Sequence, residues 1–119
     1  QHAAVTALTE AASDVEVMRS HYKERRDLVY KRLNQVADLR CHLPAGGMFM
    51  MIDIRQSGLS AQAFADILLD QHGVSTLAGE AFGPSAAGHV RISLGVSCEV
   101  LEVACNRIEA CFKSVMSRG

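Results

Sequence analysis

Between Gly88 and Gly95 the chain reads His89-Val90-Arg91-Ile92-Ser93-Leu94, with apolar and polar residues in strict alternation. A period of two sends Val90, Ile92 and Leu94 to one face of a strand and His89, Arg91 and Ser93 to the other. Any fold that accommodates this stretch must therefore contain a sheet with one face against a core. Arg91 is then fixed on the opposite face among short polar side chains. A guanidinium is planar and permanently charged, and it matches a carboxylate through two parallel hydrogen bonds, so an arginine on a rigid strand suits the gripping of a small acid. From these residues alone, the plainer reading is an ordinary solvated strand arginine, since half-buried sheets put charge outward.

The remaining elements are amphipathic. Residues Ser13 to about Asp38 carry Val15, Met18, Tyr22, Val29, Leu33 and Val36 at helical steps, which predicts one long helix. At ~1.5 Å per residue it reaches roughly 40 Å, against the ~35 Å expected of a compact chain of this size, so its Ala-rich start is expected to overhang. Pro44, Gly46 and Gly47 end a loop, and Met48 to Ile54 follow as a strand apolar on nearly both sides, hence central or covered. Ser60 is placed to cap a helix that runs to His72, with Gly73 at its end and Phe64, Ile67 and Leu68 as its stripe. Val74 to Leu77 reads as a short strand. The loop from Gly79 to Gly88 has glycines at 79 and 83 that allow positive φ, and it is long enough either to approach a ligand or to serve as a plain connection. Ser97 caps a last helix whose buried face is Leu101, Ala104, Ile108, Phe112 and Val115. The order helix, strand, helix, strand, strand, helix predicts an α+β two-layer domain, with a small, largely antiparallel sheet covered by helices.

At 119 residues the chain is expected to be a single domain, 1–119, long enough to bury about two-thirds of its unfolded surface. The net charge of −1 and pI near 6.6 provide no footprint for nucleic acid or an anionic membrane. No apolar run approaches the ~18 residues of a membrane span and no leader pattern opens the chain, so the expected location is the cytoplasm. Cys41, Cys98, Cys105 and Cys111 contain no C-x-x-C pair and the histidines are scattered, so the cysteines read as buried free thiols and no metal site is expected. His89, beside Arg91, reads as a surface histidine that could also line a site.

Four tracts occur in a fixed order: Leu43-Pro44-Ala45-Gly46-Gly47-Met48-Phe49-Met50-Met51-Ile52-Asp53-Ile54, Gln71-His72-Gly73-Val74, Leu77-Ala78-Gly79-Glu80-Ala81-Phe82-Gly83 and His89 to Gly95. Together they resemble the small, C-terminal domain of class I/II aminotransferases, the aspartate aminotransferase-like group that uses pyridoxal 5′-phosphate. The resemblance runs from near Ser13 to near Met116. It implies that the long helix links a large cofactor domain to this one, with residues 1–12 a remnant of that connection, and that Arg91 binds the α-carboxylate of the substrate. It further implies amino-acid and 2-oxo-acid substrates and a homodimeric full-length enzyme. The aldimine lysine of that family lies in its large domain. Lys23, Lys31 and Lys113 sit in predicted helices without the matching context, so no catalytic or cofactor-binding residue is assigned here. Ala78 departs from the proline that many members carry before the loop glycine. Gly58-Leu59-Ser60-Ala61 and the tract Phe82 to His89 resemble those of basic-amino-acid and aspartate-type transaminases, without fixing the substrate. The alternatives are another pyridoxal phosphate enzyme with the same small domain (a lyase, synthase or decarboxylase) and a non-catalytic carboxylate-binding or regulatory module.

Overall fold

The computed structural model describes residues 21–42 and 48–118. The expected overhang of the first helix, the 1–12 remnant and the Pro44-Gly46-Gly47 loop lie outside these residues. Helix α1 is described over residues 21–33, β1 is Arg40–Cys41, β2 is Phe49–Asp53, α2 is Ala61–His72, β3 is Leu77–Ala78, β4 is His89–Ser93 and α3 is Cys98–Arg118. The strands form one sheet in the order β1-β2-β4-β3, and every neighbouring pair is antiparallel. The α+β expectation holds, with one more strand than the pattern predicted.

The alternation in β2 and β4 decides which way the sheet faces. Met50, Ile52 and Ile54 join Val90, Ile92 and Leu94 in the core, none more than 5% exposed. Against them lie Val29 and Leu33 of α1, Phe64 and Leu68 of α2, and Leu101, Ile108 and Phe112 of α3, in one continuous cluster. Phe64 and Phe112 meet edge to face, with ring centroids 6.3 Å apart, where α2 crosses α3. Cys105 and Cys111 are buried on α3, and Cys41 is buried on β1. All of these thiols are free, and burial raises the pKa of Cys41 to about 12 and of Cys105 to about 11.

The predicted caps are in place. The Ser60 hydroxyl accepts from the Ala63 N–H at 3.1 Å, and Gly73 closes α2 in the left-handed region at φ 69°. The Ser97 hydroxyl accepts from the Val100 N–H at 3.3 Å.

Two boundaries and the cover of one strand differ from expectation. Helix α1 stops at residue 33 rather than near Asp38, because Asn34 turns its side chain to the backbone. Its amide donates to the carbonyls of Tyr30 (2.9 Å) and Cys41 (3.0 Å), and its oxygen accepts from the Cys41 N–H (2.9 Å). Those bonds hold β1 in place beside β2. The short strand expected at Val74–Leu77 is Leu77–Ala78 instead, since pairing with Arg91 and Val90 of β4 fixes its register. Finally, β2 is central as expected but covered on one face only. Among the described residues no element lies over its second face, where Phe49 remains 38% exposed.

Candidate functional site

The open face of the sheet carries the candidate site. Arg91 projects from β4 between Met51 of β2 and Leu77 of β3, its register partners on either side. Phe49 pairs with Ser93, one step diagonal from Arg91, which brings its ring within reach. The guanidinium carbon lies 4.0 Å from the Phe49 ring centroid, and 4.2 Å from that of Phe82. Both distances fall well inside the ~6 Å limit for cation–π attraction. With a ring close by on two sides, the fork is held while its N–H groups are left for a ligand. Among the described residues, no carboxylate or carbonyl accepts from Arg91. Such a group can take a carboxylate end-on with two parallel bonds.

Phe82 reaches this position because of how its loop folds. Residues Gly79–Phe82 and Pro84–Ala86 form two short 3₁₀ turns, joined at Gly83 with φ 119°. Gly83 uses the positive φ that glycine allows, whereas Gly79 does not. Gly79 is needed instead for close approach: a Cβ there would collide with the carbonyl of Ala86 and stand 2.7 Å from that of His89. The carboxylate of Glu80 accepts from the Ala61 N–H at 3.1 Å, which ties the loop to the start of α2.

Two residues toward the other end of the same face lies a polar cluster. Asp53 is the register partner of His89, and Arg55 donates to its carboxylate through Nη2 (2.7 Å) and Nε (3.0 and 3.2 Å). The side-chain hydrogen bond from Arg55 is the main reason the Asp53 carboxyl sits below its ordinary pKa. His89 is therefore not the surface residue that the sequence suggested, since its side chain is 12% exposed and faces Asp53 at 4.0 Å. His42 joins them, with its ring centroid 5.4 Å from that of His89. In the sequence these three residues are far apart, so nothing in the spacing marks them as neighbours.

Arg91 and His89 are thus legible in the sequence, whereas Phe49, Phe82, His42 and Asp53 join the face only through the fold. The G-x-x-F-G spacing of Gly79 to Gly83 offered a signal for Phe82, a large aromatic between turn glycines with no helical or strand stripe to join.

Comparison with known proteins agrees with this architecture. The family model for aminotransferases of class I and II matches residues 1–108. Arginine–pyruvate transaminase AruH of Pseudomonas aeruginosa is 55% identical over 119 residues, covering 100% of this chain and 30% of that protein. An aromatic aminotransferase from Pyrococcus horikoshii superposes with a TM-score of 0.83 at 37% identity, over 88% of this chain and 28% of that one. The aspartate aminotransferase from Thermus thermophilus solved with maleate superposes with a TM-score of 0.79 at 30% identity, over 91% of this chain and 27% of its own. The chain therefore spans under a third of the length of these relatives. With the ordered motifs, the one-sided antiparallel sheet and these matches all in agreement, the chain belongs to the class I and II aminotransferase family.

Proposed function

We propose that, in its full-length protein, this domain grips the α-carboxylate of an amino acid or a 2-oxo acid through Arg91 while the amino group is exchanged between them. The observation that carries the reading is the Arg91 fork, stacked at 4.0 and 4.2 Å on Phe49 and Phe82 and presented on an open strand face. Both substrates of a transamination share a carboxylate next to the reacting carbon, so one rigid fork serves both half-reactions. Holding that carboxylate fixes how the reacting carbon is presented, which is an orientation role, and Arg91 moves no proton.

Enzymes of this family depend in general on pyridoxal phosphate, which supplies the electron sink for the exchange. The residues of this chain do not fit the role of its anchor. Lys23 and Lys31 are exposed on α1, and Lys113 is exposed on α3, paired with Glu109 at 2.9 Å, so no lysine lies on the Arg91 face. The cofactor's attachment belongs in this proposal to the part of the protein beyond this chain. Identity of 55% with an arginine–pyruvate transaminase supports arginine, or a similar basic amino acid, as donor and pyruvate as acceptor. A cytoplasmic homodimer completes the proposal, with the buried free thiols consistent with a reducing compartment.

The test is Arg91→Ala in the full-length enzyme, assayed with donor and acceptor in turn. Losing one partner of a desolvated charge pair costs on the order of 2 to 5 kcal/mol, so kcat/KM should fall roughly 30-fold to several thousand-fold for both. Arg91→Lys should recover only part of this, because a point charge lacks the two-bond geometry. Near-normal kcat/KM for both substrates in Arg91→Ala would refute the assignment.

A further inference from the structure

We propose that His42, Asp53 and His89 form a binding site for a divalent transition-metal ion of the zinc class. Two imidazoles and a carboxylate are a donor set suited to such ions. The three side chains bring ligand atoms within 4.8 Å of one another on the open face of the sheet. They come from β2, β4 and the residue following β1, and the sheet's hydrogen bonding fixes all three backbones. Asp53 and His89 are paired in register, and the His42 N–H donates to the Met51 carbonyl at 3.2 Å.

The orientation of His89 is what distinguishes this cluster from a chance grouping. Its Nδ1 lies 3.0 Å from the carbonyl oxygen of Ala87. A carbonyl can only accept, so Nδ1 is the donor here, and Nε2, the nitrogen left for an ion, faces Asp53. Metal-binding histidines are oriented in this way by a backbone carbonyl behind the ring. The Nε2 to Asp53 Oδ2 distance is 4.0 Å, too long for a hydrogen bond. Two ligand bonds of about 2.0 to 2.1 Å span from ~3.3 Å in a tetrahedral arrangement to ~4.1 Å when collinear, so an ion bridges this gap with little movement. His42 is exposed and can turn inward by the further ångström or so that closure requires.

Asp53 is supported from behind as well. Arg55 holds the carboxylate through its backbone N–H and Nε on Oδ1 and through Nη2 on Oδ2; of the roughly four acceptor directions, this leaves one on Oδ2, the oxygen facing His89, for an ion. Gly88, with φ 76°, allows this approach, because a Cβ there would collide with the Arg55 side chain. The cluster is two residues along β4 from Arg91 and shares none of that site's groups, so it stands independently of the proposed activity.

The experiment is equilibrium titration of chelator-treated full-length protein with zinc chloride, with cobalt(II) chloride as a spectroscopic probe. The expected result is one zinc equivalent per chain lost from the wild-type stoichiometry in His42→Ala and in His89→Ala, together with visible cobalt absorption that both variants lack. His42→Ala is the decisive variant, since it removes an exposed side chain without opening the core. Titration curves and cobalt spectra identical in wild type and His42→Ala would overturn the proposal, as would wild-type protein that takes up no zinc in the titration.

Discussion

Replacing Phe82 with leucine should weaken substrate binding without disturbing the fold, and the size of the effect follows from the stacking geometry. The Phe82 ring centroid is 4.2 Å from the Arg91 guanidinium carbon and the residue is 47% exposed. At exposed sites a cation–π contact contributes about 0.5 to 1 kcal/mol, rising to ~2 when the pair is desolvated. A bound substrate removes water from this face, so the expected rise in KM runs from about 2-fold to about 30-fold. The rise should apply to the amino-acid and 2-oxo-acid substrates alike, because both use the same fork. Leucine keeps apolar bulk but offers no π face, and it leaves the guanidinium stacked on Phe49 alone. Phe82→Tyr retains the ring and should stay near wild type. The melting temperature should hardly change, since Glu80 anchors the loop to Ala61 whatever stands at position 82. Steady-state kinetics on both half-reactions, with thermal melts alongside, provide the assay. If Phe82→Leu left both KM values unaltered while Arg91→Ala raised them, the ring would have no part in positioning the guanidinium. A parallel fall in melting temperature would make its role structural.

Gly79→Ala should cost about 1 to 3 kcal/mol, because its Cβ meets backbone carbonyls that cannot swing away. Gly58→Ala, at φ 78° with open space around it, should cost only the ~1 to 2 kcal/mol of left-handed strain; urea denaturation of the two variants would show whether their order is as stated. Maleimide should label Cys98, which is partly exposed, well before the buried Cys41, Cys105 and Cys111, as mass spectrometry of briefly treated native protein would reveal. The same burial makes stability fall with alkali. From pH 9.0 the thiols of the unfolded chain lose protons, while those of Cys41 and Cys105 hold theirs to about 12 and 11. The folded state then binds more protons than the unfolded one, and unfolding is favoured as pH rises through that window. Urea midpoints at pH 8 and 10 would check this, with Cys105→Ala expected to show a shallower decline.

The sequence by itself determined the faces of the elements. Side-chain period is a local property, so Val90, Ile92 and Leu94 could be assigned to a core and Arg91 to the opposite face before any partner strand was known. Caps are equally local, and Ser60, Gly73 and Ser97 stand where their chemistry required. Only the tertiary structure decided which residues meet. Strand β1 exists because Asn34 bonds to Cys41, a contact that two residues of sequence cannot announce. The register of β3 was set by β4, and the need for glycine at 79 by the return of Ala86 and His89 against it. Stacking of Phe49 and Phe82 on Arg91, and the meeting of His42, Asp53 and His89, depend on the strand order β1-β2-β4-β3. Alternation states which side of a strand a residue occupies. Its neighbours on that side are settled by pairing and packing across the whole domain.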